Sequence, residues 1–217
     1  MKILNLYSGI GGNRKLWGDE HEITAVEYKP EIAKVYQGFF PKDKVIVADA
    51  HEYLLEHYHE FDFIWSSPPC PTHTRINMAN QLSPYKDNTA QLKQGGGIKP
   101  RYPNMSLYQE IIFLQYFFKG KYCVENVVSY YEPLIKPLEM GNHYFWTNIL
   151  MPTIETEGRG MGNGTNTKTL AVRKGYDLDS LKGLDKELVL RNCVEPEIGK
   201  HIFDYILHPY EPNLKLV

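Results

Sequence analysis

The first third of the chain carries the feature that most limits its fold. Short apolar runs at residues 2–7, 23–27, 45–48 and 61–65 are separated by stretches long enough for crossover helices. Runs spaced in this way pair as a parallel sheet, whose two faces must both be covered by helices. Pro30 opens the segment 30–40 as a first-turn proline, and Ile32, Val35, Tyr36 and Phe39 recur at helical spacing, which predicts one of the crossovers. After a long polar stretch the pattern resumes. Residues 106–118 read as an apolar helix, 121–125 as a buried strand, 144–150 as an aromatic-rich strand and 195–207 as a last helix. At 217 residues the chain has room for one substantial α/β domain, or for a domain plus a small appendage, and is too short for a typical two-domain enzyme.

Charge narrows the partners. Twenty-four Lys plus Arg against 26 Asp plus Glu give a net charge of −2, so no global basic field draws the molecule to nucleic acid, and any such binding must come from a local patch. No apolar run is long enough for a membrane span, and residues 1–7 pass into glycines without a signal-peptide core or cleavage site. Three widely spaced cysteines, Cys70, Cys123 and Cys193, suit a reducing compartment and offer neither a disulfide framework nor a zinc knuckle. The helical zinc motif fails at His51, because Leu55 stands where the second histidine is needed; His57 and His59 read as solvated. The expectation is a cytoplasmic protein, nucleoid-associated or in a bacterial host cell, with no metal and no membrane contact.

Chemistry concentrates where predicted strands end. Ser8-Gly9-Ile10-Gly11-Gly12 follows the first strand and is expected to open a helix, where missing Cβ atoms admit a ligand and free N–H groups face an anion. Arg14 stands where a dinucleotide fingerprint has its third glycine, and no Gly-Lys-Ser/Thr follows, so a plain strand-to-helix turn stays open as the alternative. Glu27 and Asp49 close the second and third strands. Two acids at consecutive strand ends beside a glycine turn favour a nucleoside cofactor. Cys70, stiffened by Pro68 and Pro69, follows the fourth strand and so sits at the sheet edge where open α/β folds bind ligands; its ordinary pKa of about 8.5 must be lowered, or a base supplied, for it to act as a nucleophile. Glu125-Asn126-Val127 brings another acid to that edge, suited to protonating a substrate ring. Cys123 and Cys193 read as buried thiols, and Phe113 and Phe117 as core.

Together the segments Leu6-Tyr7-Ser8-Gly9-Ile10-Gly11-Gly12, Glu27, Asp49, Pro68-Pro69-Cys70, Glu125-Asn126-Val127 and Arg191-Asn192-Cys193-Val194 resemble the cytosine-C5 DNA methyltransferases, in a short form of the kind phage genomes carry. The resemblance implies a Rossmann-like S-adenosylmethionine-dependent methyltransferase fold of the α/β class, with a mostly parallel sheet and helices on both faces. It places the catalytic domain at 1–150 and 187–217 and a reduced target-recognition segment at 151–186. It implies that Gly9, Gly11 and Gly12 cradle S-adenosylmethionine, that Glu27 takes its ribose and Asp49 its adenine amine, and that Asn192 and Val194 close the site. Tyr7, Ser8, Ile10 and Pro69 complete the cofactor set. Cys70 is then the nucleophile that adds to C6 of a flipped cytosine while Glu125 donates to N3; Pro69, Asn126 and Val127 face the base, and S-adenosyl-L-homocysteine is the product.

Departures from the family pattern are also visible. Tyr7 stands for a usual Phe, Asn5 for a frequent Asp and Arg191 for a usual Gly. The strand whose arginine holds the cytosine O2 has no clear copy; Asn142-His143-Tyr144-Phe145-Trp146 occupies its place. Residues 151–190 leave space for little more than a hairpin or two, with a glycine-rich flexible turn or hairpin tip at 158–164, which predicts a short site, relaxed specificity or a partner protein that reads sequence. Arg159, Lys168, Arg173 and Lys174 are its candidate phosphate contacts on double-stranded DNA. Residues 71–103 hold Arg75, Lys86, Lys93, Lys99 and Arg101 against Asp87, which predicts a lid that closes over the flipped base; an ordinary surface loop is the alternative. Two rival functions stand beside DNA methylation with a role in restriction-modification. One is a folate-dependent pyrimidine nucleotide methylase or hydroxymethylase, which would lack the glycine turn. The other is a catalytically inert DNA-binding relative.

Overall fold

The computed structural model describes residues 1–75, 102–155 and 166–210. Within them the strands are β1 (Lys2–Leu6), β2 (Glu22–Glu27), β3 (Lys44–Val47), β4 (Phe63–Ser66), β5 (Lys121–Val127), β6 (Leu138–Met140) and β7 (His143–Thr147). They form one sheet in the order β3-β2-β1-β4-β5-β7-β6. The first five run parallel, and β7 is antiparallel to both of its neighbours. The helices are α1 (Pro30–Phe39), α2 (Ala50–His57), α3 (Ser106–Phe117), α4 (Thr167–Arg173), α5 (Lys186–Arg191) and α6 (Pro196–Leu207).

Side chains of period two divide the sheet into two buried faces. Ile3, Ile23, Phe63, Trp65, Cys123 and Phe145 point to one, where Ile198, Ile202 and Phe203 of α6 cover them with Trp17. Leu4, Leu6, Val26, Ile64 and Val124 point to the other, where Ala50 and Leu54 of α2 and Leu107, Ile111 and Leu114 of α3 lie. This is the expected Rossmann-like architecture, with apolar runs buried on both sides because both sides carry helices. Its carboxyl edge collects the ends of β1 to β5.

The structure departs from the sequence reading at several points. No helix follows the glycine turn; residues 8–17 form consecutive turns, with Gly11 N–H donating to the Ser8 carbonyl and Trp17 N–H to that of Arg14. Positive φ at Gly9 (54°) and Gly11 (81°) breaks helical geometry at the outset. Arg14 is buried, donating to both oxygens of Asp43 at 2.9 and 3.0 Å, while the Tyr36 hydroxyl donates to the same carboxylate at 2.8 Å. The residue that spoils a dinucleotide fingerprint is therefore the anchor that fixes the turn run to α1, and removing one partner of such a pair costs about 3–5 kcal/mol. Residues 166–191 form two short helices, not hairpins, and the 158–164 glycine run lies outside the described residues. The aromatic strand ends at Thr147, and β6 has only three residues, too few for a periodic signal. Phe117, read as core, is 60% exposed, stacked on a half-buried Phe113. His57 is paired with Glu60 at 2.7 Å.

Candidate active site

On the β1–β3 side of the carboxyl edge, backbone geometry does the positioning. Tyr7 leaves β1 at φ 52°, a left-handed conformation rare for a non-glycine residue, and turns the chain into Ser8 and Gly9. The Gly9 N–H donates to Glu27 at 3.0 Å, and the Lys29 N–H donates to the other oxygen of that carboxylate, also at 3.0 Å. A Cβ at Gly9 would meet nothing within 4 Å, so this glycine faces open space. Gly11 and Gly12 do not: a Cβ there would lie 2.3 Å from the Phe40 ring and 2.2 Å from the Cys193 sulfur respectively. These two are glycines so that neighbouring segments can touch the turn. Asp49 caps α2 by accepting from the N–H groups of His51 and Glu52, and is exposed at the end of β3. Buried Ser8 has a hydroxyl without a partner among the described residues. An open glycine, a buried hydroxyl in need of a partner and two carboxylates at adjacent strand ends fit a nucleoside-bearing cofactor.

On the β4–β5 side, burial does the work. Cys70 is half-buried beyond Pro68 and exposed Pro69; burial and the nearby Glu125 charge push its thiol up to about 11. Glu125, buried on β5, is pushed up to about 7 by desolvation, while a Ser67 hydrogen bond and the positive Lys174 pull the other way. His143 on β7 places Nε2 3.6 Å from the Glu125 carboxylate. Burial, with the field of Lys174, drives that imidazole down to about 4, and its buried Nδ1 has no partner among the described residues. Asn126 donates to the Pro68 carbonyl at 2.9 Å, tying β5 to the cysteine turn, and half-buried Val127 ends the strand. Buried His73 adds a second tie: its N–H donates to the Cys70 carbonyl, and Nδ1 lies 2.6 Å from the Tyr131 hydroxyl. At 2.9 Å, Asn104 N–H donates to Thr72 Oγ1, drawing together the two ends of the segment read as a lid.

Several residues that matter here escaped the sequence reading. Glu110 of α3, 1% exposed, accepts from the Tyr7 hydroxyl at 2.5 Å and from Ser66 at 2.6 Å, with His51 Nδ1 3.1 Å away. The only sequence signal was one carboxylate inside an apolar helix. Lys174, read as a phosphate contact, is instead 3% exposed, with Nζ bonded to the Cys193 carbonyl and 3.4 Å from Glu195. Arg173 pairs with Glu195 at 2.6 Å, Arg75 donates to the Ser129 carbonyl, and Lys168 is exposed on α4. Lys86, Lys93, Lys99, Arg101 and Arg159 lie outside the described residues.

The carboxy-terminal segment closes on the glycine turn. Ile10 packs with Leu170, Tyr176, Leu181, Leu190 and Cys193, and the Tyr176 hydroxyl donates to the Ile10 carbonyl at 3.0 Å. Asn192 is exposed at the end of α5, while Val194 is buried with its carbonyl against Gly12. No group of three or more metal-ligating side chains occurs among the described residues, and no described helix is long and apolar enough to cross a membrane.

The sequence model of the C-5 cytosine-specific DNA methylase family matches residues 1–80, the part that holds the glycine turn, Glu27, Asp49 and Cys70. A rat protein named tRNA (cytosine(38)-C(5))-methyltransferase is 28% identical over 95 residues, covering 41% of this chain and 24% of the relative. Its human counterpart is 26% identical with the same coverage. The chain thus spans about a quarter of the length of these curated relatives. Among solved structures, a DNMT2 variant from Spodoptera frugiperda aligns with 58% of this chain and 35% of its own, at 27% identity and a TM-score of 0.36. The family model and the rat and human relatives bear out the resemblance to cytosine-C5 methyltransferases, the model over the part of the chain that holds the glycine turn, Glu27, Asp49 and Cys70.

Proposed function

We propose that this chain is an S-adenosylmethionine-dependent DNA (cytosine-5)-methyltransferase working through a Cys70 adduct. The observation that carries the reading is the meeting, at one sheet edge, of an accessible thiol and a buried carboxyl held near neutrality, beside an open glycine turn flanked by two acids. When bound, S-adenosylmethionine supplies an electrophilic methyl group for carbon 5 of the ring. Gly9, with Ser8 and Tyr7, shapes the space for it; Glu27 and Asp49 offer acceptors to its ribose and adenine.

Cys70 and Glu125 are coupled, because each ionised group disfavours the ionisation of the other. The productive pair is thiolate with protonated carboxyl. The thiolate adds to C6, and Glu125 donates its proton to N3 as electron density moves toward C5. Once C5 carries the methyl group, its proton passes to solvent water, the thiolate is expelled from C6, and N3 returns its proton to the Glu125 carboxylate, which restores the neutral aromatic ring. Protonated Glu125 also removes the charge that adds to burial in holding the thiol up, so one proton serves both steps. His143, neutral and beside Glu125, is the donor suited to the adjacent O2 of the ring, in the strand where the family carries arginine. Asn126 fixes the cysteine turn against β5. The base must leave the duplex, since a stacked ring offers neither face to a thiol. Lys168 and Arg173, with the basic residues of 75–101 and Arg159, provide the local charge for phosphate contact. The residues between β7 and α6 read sequence in a reduced way or with a partner protein, in keeping with a restriction-modification role.

The test is transfer of labelled methyl from S-adenosylmethionine to unmethylated duplex DNA and, in parallel, to tRNA, with wild type and Cys70→Ala, followed by mapping of the product. 5-Methylcytosine in DNA, absent with the variant, is expected. Methylation at cytosine N4 or adenine N6 defeats the thiol mechanism, and product in tRNA alone overturns the DNA assignment.

A further inference from the structure

Glu110 belongs to no step above, yet it is the most connected buried carboxylate at the carboxyl edge. It projects from α3, while each of its three partners belongs to a different part of that edge. Tyr7 is the last residue before the glycine turn and is held at φ 52°. His51 lies in the first turn of α2, two residues after Asp49, and its own backbone N–H is capped by that residue. Ser66 ends β4, one residue before Ser67, whose hydroxyl bonds Glu125 and accepts from Trp65 Nε1 at 2.9 Å. From Ser67 the chain runs through Pro68 and Pro69, whose stiffness passes any displacement on to Cys70.

A buried carboxylate that accepts several short hydrogen bonds is intolerant of partial occupancy, since each lost donor leaves a desolvated oxygen. Shifting Tyr7 therefore has an energetic consequence at Ser66, and the converse holds equally. The left-handed Tyr7 backbone strengthens the case: that conformation is strained and persists only where its surroundings fix it, and the hydroxyl bond to Glu110 is one such constraint.

From this we infer that Glu110 is a positioning residue that couples the cofactor turn to the nucleophile turn, so that a change on either side is felt at the other. The inference rests on the proposed function for the identity of the two sides, and the reciprocity follows from linkage.

The test reads each side from a lesion on the other. Iodoacetamide alkylation of Cys70, followed by mass spectrometry so that buried Cys123 and Cys193 are counted separately, is measured in cofactor-free protein with Tyr7→Phe, a change on the cofactor side. Binding of S-adenosylhomocysteine, without DNA, is measured by calorimetry with Ser66→Ala, a change on the nucleophile side. Each is expected to shift by about threefold or more relative to wild type. In a Glu110→Gln background, folded by its melting transition, both added lesions are expected to have no further effect. If Tyr7→Phe leaves alkylation unchanged and Ser66→Ala leaves affinity unchanged, or if both effects persist at full size without the Glu110 carboxylate, the coupling is overturned. A Glu110→Gln chain that does not fold is replaced by the Tyr7→Phe/Ser66→Ala double variant, where additive effects overturn the proposal and non-additive ones support it. Failure of wild type to bind S-adenosylhomocysteine overturns the proposed function instead, and the alkylation arm still decides the coupling.

Discussion

Where β1 to β3 end, carboxylates stand near water and are held by backbone N–H groups; where β4 and β5 end, the ionisable groups are withdrawn from water and their protonation is displaced. The two stretches belong to one sheet edge and are joined at Glu110, yet they use opposite physics. At the first, the N–H groups of Gly9, Lys29, His51 and Glu52 aim and hold the two carboxylates, and Gly9 leaves open space beside them. Moving a proton requires a group whose affinity for it lies near neutrality, and burial does this for Glu125. Burial raises both Cys70 and Glu125, the thiol up to about 11 and the carboxyl up to about 7, so it is the carboxyl that is brought to neutrality while the thiol is held further from ionisation.

The largest expected effect separates these stretches directly. Cys70→Ala removes the nucleophile and should abolish methyl transfer by about four orders of magnitude or more, with S-adenosylhomocysteine affinity in calorimetry little changed. Equal loss of both would erase the distinction between the two sides. Next, Glu125→Gln should lower single-turnover methyl transfer by about 10²–10⁴-fold and alter the pH profile. In wild type the productive pair carries one proton, so kcat/KM should rise through about pH 7, stay level and fall only near 11. The variant should lack the change in slope near 7.

A glycine pair sharpens the comparison further. Gly12→Ala drives a Cβ into Cys193 and the Val194 carbonyl and should lower stability by about 3 kcal/mol, read as a reduced Tm. Gly9→Ala meets no neighbour, so its fold cost is only the left-handed backbone, about 1–2 kcal/mol, while its Cβ enters the space assigned to cofactor and should weaken S-adenosylhomocysteine binding. Finally, the buried acid and imidazole should leave opposite marks on thermal stability. Glu125, raised, stabilises fully below the ordinary carboxylate range and loses that contribution as pH climbs through about 7. His143, depressed, stabilises above the ordinary histidine range and loses its contribution as pH drops through about 4. Relative to wild type, melting of Glu125→Gln should gain with rising pH between these limits, and that of His143→Phe should decline.

How much of this was legible depended on whether a residue's role is local. The strands, α1 and the strand-end placement of Glu27, Asp49 and Cys70 followed from apolar periodicity and turn residues, which act over a few positions. The helix expected after Gly12 was not there, because positive φ at two glycines and the Arg14–Asp43 pair override local preference, and the pairing partner lies 29 residues away. Glu110, His143 and Lys174 stayed hidden for the same reason. Their importance arises from what surrounds them after folding, and a single polar residue in an apolar or mixed stretch carries no mark of which way it faces. Lys174 shows the cost of reading charge alone, since a lysine counted as a surface cation is bonded inward to a backbone carbonyl.

The packing of residues 166–193 on Ile10 and Gly12 bears on how such a protein could diversify. If those residues select the target, selectivity and donor binding share a wall, and a foreign cassette grafted at that point would deform the glycine turn along with the readout. New preferences would then have to emerge by substitutions on exposed positions such as Lys168 and Val172, which leave the shared interior intact, and not by wholesale exchange of the segment.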